Sequence, residues 1–239
     1  MLRALLPAAL LAVPALAAPM PATDLLITDV SPALSYRWRM AAPEAVTQTA
    51  LLTTLRKQAL AELAKEKQDA ARDAAEAKKS GFPVRPYETI ISWTLAADTP
   101  RLLALQSLNY SFTGGAHGNT GYTAKIWDKS ANKAIPFSAL FTDWKKAQGL
   151  LGPAYCKALA EEQKARGGNP VNNCPKLADQ QIVPWADLAP TAYQFRVLLG
   201  PYAAGSYAEG SYLITLPWPE GIEKLIKPAY KTDLFGTAN

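Results

Sequence analysis

The chain has 239 residues, 49% of them hydrophobic, with a formal charge of +5, two cysteines and a single histidine. That is enough for one sizeable domain with a real core. The mild basicity gives no nucleic-acid signature, since no basic-aromatic stripe is present, and one histidine with two cysteines in no ligand-type spacing argues against a metal centre.

Residues 1–17 read as a signal peptide, with Arg3 as the positive start, a short apolar run over 5–16 and Ala15-Leu16-Ala17 as an A-x-A cleavage site. The run is shorter than the ~20 apolar residues a membrane helix needs, and no later stretch reaches that length. Removing Arg3 with this segment leaves 24 basic and 20 acidic residues, a net charge of +4. The expected location is the periplasm or the outside of the cell. Residues 18–29 follow as a leader. Residues 25–30 and 33–40 form a first strand region broken by Pro32, with Tyr36 and Trp38 alternating with Arg37 and Arg39.

Pro43 is placed to open a long helix. Leu52, Leu55, Ala59, Leu60 and Leu63 give it one apolar stripe, which thins to alanine among charges over 64–79, a solvated half. Gly81 stops it, with Pro83 and Pro86 beyond. Strands are expected over 87–96 and 102–112, with Ile91, Trp93 and Leu95 on one face of the first. A helix over about 141–166 should be irregular near Gly149, Gly152 and Pro153. Strands follow from the alternation of Tyr193, Phe195, Val197 and Leu199, then of Tyr212, Ile214 and Leu216. A short final helix spans 219–227. Cys156 and Cys174 lie beyond the leader and suit a disulfide in an oxidising compartment. Two unpaired buried thiols are the other reading. The fold class is α+β: antiparallel sheet or sheets, one long N-terminal helix, and a second helix packed on one face. Residues 30–120 form an N-terminal half and 121–239 a C-terminal half, together one unit.

The stretch 108–122, LNYSFTGGAHGNTGY, holds His117 among four glycines between two alternating runs. Two strands joined by a glycine-rich loop are expected, and long ordered loops often bind something. His117 is the one catalytic candidate, as a general base. No nucleophile elbow accompanies it, and the plainer reading has imidazole, Asn119 and Thr120 bonding loop backbone. The glycines make no phosphate loop, since its lysine and following helix are missing. Asp128, Asp143, Glu161, Glu162 and Glu209 are scattered carboxylates with no readable pairing. A second turn cluster holds Pro201, Tyr202, Gly205, Tyr207 and Gly210, where exposed tyrosines would suit sugars or proteins. The candidate ligand-binding residues are Gly114, Gly115, His117, Asn119, Tyr202 and Tyr207. No cofactor and no metal are expected.

YSFTGGAHGNT (110–120), AIPFSALF (134–141) and LLGPYAAGSYAEGSYLITL (198–216) stand in an order that resembles the RsiV-like domain family of bacterial envelope proteins, over about residues 30–229. In that family the domain serves in lysozyme-sensing anti-sigma factors or precedes a polysaccharide deacetylase domain. This chain reads as the extracytoplasmic module alone, with no anchor, sigma-binding segment or deacetylase domain, so neither activity carries over. The resemblance implies a non-catalytic binding module for an envelope ligand, either peptidoglycan or another glycan, or a muramidase-like protein. The alternative is a wall-polysaccharide enzyme using His117. Which of the 113–121 and 200–210 loops meet in space decides whether there is a site.

Overall fold

A computed structural model describes residues 25–168, 174–187 and 189–236. The signal peptide expected at 1–17, the leader as far as residue 24 and the middle of the 167–175 loop lie outside these. Among the described residues nine strands form two sheets, accompanied by three α-helices. The first sheet has six strands in sequence order: β1 (Leu26–Val30), β2 (Leu34–Ala41), β3 (Tyr87–Asp98), β4 (Leu102–Phe112), β5 (Asn119–Asp128) and β6 (Lys133–Ile135). The second has three, β7 (Gln181–Trp185), β8 (Gln194–Leu199) and β9 (Tyr212–Pro217). All pairs are antiparallel except β2 with β3, which run parallel because helix α1 (Thr49–Lys79) returns the chain to its starting end.

The helix begins later than the proline suggests. Pro43–Thr47 winds as a 3₁₀ turn, and α-helix starts at Thr49. Its end is as expected. Gly81 has φ +73°, and the N–H groups of Gly81 and Phe82 bond the carbonyls of Lys78 and Ala77. This double bond pattern closes a helix around a left-handed residue that glycine adopts without strain. Leu51, Leu52, Leu55, Ala59 and Leu63 are buried, whereas most side chains beyond Ala64 face solvent. Glu66 and Asp73 accept from Thr89 and Tyr87 and tie that second half to the start of β3.

Strand alternation divides the six-stranded sheet into two faces. Trp38, Ile91, Trp93, Leu103, Leu105 and Trp127 lie on one face and form a core with α1. The other face carries Leu102, Ala104 and Ile126, and a bulge between Leu95 and Ala97 buries both Ala96 and Ala97 there. That face shares a second core with Phe195, Val197, Tyr212 and Ile214 of the small sheet and Leu151, Tyr155 and Leu159 of helix α2 (Trp144–Ala165).

α2 runs unbroken through Gly149, Gly152 and Pro153, where an irregular helix was expected. Its buried side chains hold it, and Asp143 caps its start by accepting from the Lys146 N–H at 3.0 Å. Packing of an apolar face outweighs one missing hydrogen bond. The disulfide between Cys156 and Cys174 is formed, with the two Cα atoms 5.6 Å apart. The chain end also departs from expectation. Ile222–Leu225 is a 3₁₀ turn, and the terminal helix is α3 (Pro228–Phe235), started by Pro228 in its first turn. α3 docks through two buried carboxylates. Asp233 accepts from the Thr99 hydroxyl at 2.6 Å and the Arg101 N–H at 2.8 Å. Asp128 accepts from Arg101 and from the Tyr230 hydroxyl.

Candidate functional site

The β4–β5 connection is only 113–118 long, because the strand begins at Asn119. The two glycines at its start differ. Gly114 has φ +85°, and a Cβ there would stand 3.5 Å from the Arg85 Cβ, whereas Gly115 meets nothing within 4 Å where a side chain would be. Both carbonyls accept from Arg85 Nη1, at 3.4 and 3.2 Å. Gly118 is buried because the Tyr110 ring lies on it; a Cβ there would stand 2.3 Å from the Tyr110 oxygen.

The loop after β8 reaches the same place. Gly200 lies so close to β5 that a Cβ would be 2.7 Å from the Thr120 carbonyl oxygen. From there the chain turns through Tyr202, a non-glycine residue with φ +69°. Such a conformation costs on the order of 1–3 kcal/mol and persists only where its surroundings hold it. Side chains of α2 and of the turn itself hold it. Gln163 Nε2 donates to the Ala204 carbonyl at 2.6 Å. The Glu209 carboxylate accepts from the Ser206 N–H, the Ser206 hydroxyl and the Tyr212 hydroxyl. These bonds, the Ser206 N–H first, hold its carboxyl below the usual glutamate range. Arg166 donates to the Glu209 and Ser211 carbonyls and lies over the Tyr212 ring at 4.3 Å.

The outcome is contact between the two loops. The Tyr207 hydroxyl donates to the Gly118 carbonyl at 2.8 Å across 89 residues of sequence. The His117 and Tyr207 rings stand 4.0 Å apart, tilted by 31°, and Tyr202 follows at 5.5 Å. All three rings are exposed, Tyr202 at 61% and Tyr207 at 37%. Three of the six expected ligand-binding residues, His117, Tyr202 and Tyr207, therefore form one surface. Gly114 and Gly115 turn toward Arg85 instead. Asn119, by alternation with Gly121 and Thr123, lies on the α1 side of the sheet.

His117 Nδ1 lies 2.9 Å from the Gly118 carbonyl, the position of an N–H donor. Among the described residues no carboxylate bonds to the ring, which is exposed beside Tyr207. The scattered carboxylates do not assemble: Asp128 is a buried anchor, Asp143 a helix cap, Glu162 a partner of Arg166 and Glu209 a turn brace. Among the described residues no three His, Cys, Asp or Glu side chains gather in a way that could hold a metal. Arg85, Tyr110, Gly200 and Glu209 carry the site's geometry. Of these, only Glu209 had a local signal, the Ser206–Glu209 spacing of a capping box.

Residues 34–120 match the family model described as Deacetylase PdaC. This segment runs from the start of β2 to the opening of β5 and contains the 113–118 loop. No curated protein matches the chain. The crystal structure of a DUF3298 family member from Bacteroides fragilis is similar in fold, with a TM-score of 0.58 and 15% identity over 85% of this chain and 88% of that one. A DUF3298 family protein from Pseudomonas aeruginosa PAO1 superposes more loosely, with a TM-score of 0.38 and 16% identity over 59% of this chain and 63% of that one.

Proposed function

We propose that this protein is a non-catalytic binding module of the cell envelope, and that it holds glycan on the exposed His117–Tyr207–Tyr202 surface. The observation that carries the reading is the row of three solvent-facing rings, supplied by two loops far apart in sequence and pinned from behind by Arg85, Arg166 and Glu209. The C–H face of a pyranose is apolar and lies flat on an aromatic ring, while tyrosine hydroxyls and imidazole nitrogen meet its edge hydroxyls. Rigid aromatic anchors lose little entropy on binding. The disulfide suits an oxidising compartment, which supports a periplasmic or secreted address. The likeness of 110–120 and 198–216 to the RsiV-like domain is compatible with a role at the envelope. The module's mild positive charge does nothing to steer a basic muramidase toward it, so glycan is preferred over that protein partner.

The test is calorimetric titration with soluble peptidoglycan fragments and with a panel of neutral oligosaccharides. Tyr202→Ala with Tyr207→Ala should weaken binding more than tenfold, with the circular dichroism spectrum retained. A wild-type protein that binds no glycan of the panel, or a double variant that binds as well as wild type, would overturn the assignment. Capture of lysozyme by a protein that ignores glycans would point to the protein partner.

A further inference from the structure

Helix α1 packs on the sheet face that carries Trp38, Trp93 and Trp127, and its second half is tied to Tyr87 through Asp73. A cleft of about 240 Å³ lies there, between the middle of α1 and the sheet. Ile91 and Trp93 make an apolar floor, Gln58 and Glu62 stand on the helix wall, and Asn109 and Thr123 face it from the strands. The cleft is on the α1 side of the six-stranded sheet. Tyr202 and Tyr207 come from the small sheet, packed on the opposite side. It is therefore separate from the ring surface.

We propose that this cleft is a second carbohydrate site that takes one neutral hexopyranose unit. Three observations argue for it. The first is a prearranged polar relay. The buried Ser107 hydroxyl donates to Asn109 Oδ1 at 2.8 Å, and Asn109 Nδ2 donates to Thr123 Oγ1 at 2.9 Å. Its direction is fixed from the interior outward. Thr123 already accepts, so its own proton is left for a ligand oxygen, as is the second N–H of Asn109. A site whose polar groups are oriented before binding loses less on ordering them. The second is amphipathy. An indole and an isoleucine side chain below, with amide, hydroxyl and carboxyl groups at the sides, match a ring with one C–H face and a rim of hydroxyls. The third is charge. The described residues lining the cleft include no Lys or Arg, and Glu62 stands at its rim, so a uronate or phosphorylated sugar is disfavoured. Burial, with Glu66 nearby, raises the Glu62 carboxyl above its ordinary range. The volume limits occupancy, since clefts for larger ligands begin near about 300 Å³.

The test uses the mature chain with N-acetylglucosamine, its β-1,4 dimer, glucose and glucosamine, followed by ¹H–¹⁵N spectra of the indole N–H groups. Titration with one of the neutral sugars is expected to shift the Trp93 indole signal. Thr123→Val, which keeps the shape and removes the hydroxyl, should weaken that response about tenfold. Gln58→Ala, on exposed helix surface, should weaken it about threefold and serves if the strand variant folds poorly. Tyr202→Ala with Tyr207→Ala should leave it unchanged, so failure of the ring surface and failure of the cleft read separately. The inference is overturned if no neutral sugar moves the Trp93 signal, if glucosamine binds ten times more tightly than the neutral sugars, or if the response follows the tyrosine variants instead of Thr123 and Gln58.

Discussion

Gly200→Ala tests whether the joint between the two sheets builds the ring surface. Gly200 does not sit in the left-handed region, so alanine can adopt its backbone conformation, and the substitution adds one methyl and nothing else. That methyl would stand 2.7 Å from the Thr120 carbonyl oxygen, where ordinary contact begins at 3.4 Å. The oxygen cannot swing aside, because Thr120 is laddered to Tyr110 in the six-stranded sheet. The strands must part by about 0.7 Å, the difference between those two distances. Overpacking of this kind costs about 1–3 kcal/mol. At 2–4 °C per kcal/mol for a domain of this size, the expected fall in Tm is on the order of 4–8 °C for a cost near 2 kcal/mol. The same displacement would stretch the 2.8 Å bond from Tyr207 to Gly118 past useful length. Gly200→Ala should then make the 113–118 and 200–210 loops more sensitive to limited proteolysis. Tyr207→Phe should add little to it, a coupling that a double-mutant cycle measures. A Tm within 1 °C of wild type, with the cleavage pattern unchanged, would refute the reasoning.

Three further outcomes follow from the same geometry. Gly149→Ala, inside α2 with nothing within 4 Å of the added carbon, should stabilise the protein by about 0.5–1 kcal/mol in urea unfolding. Reducing the Cys156–Cys174 bridge, or replacing both cysteines by serine, should cost about 3 kcal/mol in the same assay, the loop-closure estimate for a separation of 18 residues. Burial pushes the Asp128 carboxyl up, but hydrogen bonds from Arg101, the Ala131 N–H and Tyr230 outweigh it and hold the group below the usual aspartate range. Its contribution is therefore present above the unfolded value of about 3.9 and is lost as pH falls through the lower folded value. Arg101→Ala should cost about 3 kcal/mol at pH 7, because it leaves a buried carboxylate short of its cation, and the gap to wild type should narrow in acid.

Neighbouring residues alone determine a good part of this molecule. The alternation of Ile91, Trp93 and Leu95, and of Tyr212, Ile214 and Leu216, fixes which side of each strand enters a core, because side chains alternate along any strand. Leu52, Leu55 and Leu63, with Gly81 behind them, are enough to place α1 and its end, although Leu60, read onto the same stripe, is exposed. Two cysteines in an otherwise cysteine-free chain left one possible bridge. His117, Tyr202 and Tyr207 could be singled out because glycine-rich turns with aromatic and imidazole side chains are local in sequence.

Only the assembled structure decided the rest, and in each case the deciding energy is non-local. Pro153 argues for a break, but Leu151, Tyr155 and Leu159 bury against the small sheet and keep α2 whole. α3 has little apolar pattern of its own and is held by Asp233 and Tyr230, whose partners Thr99, Arg101 and Asp128 lie more than a hundred residues earlier. The ring surface depends on a glycine at 200 fitting beneath a carbonyl at 120, and the cleft on Gln58 and Glu62 of α1 meeting Asn109 and Thr123 of the sheet. Periodicity reports which way a side chain points. Which chain segment it meets is set by packing between elements that a sequence window never contains together.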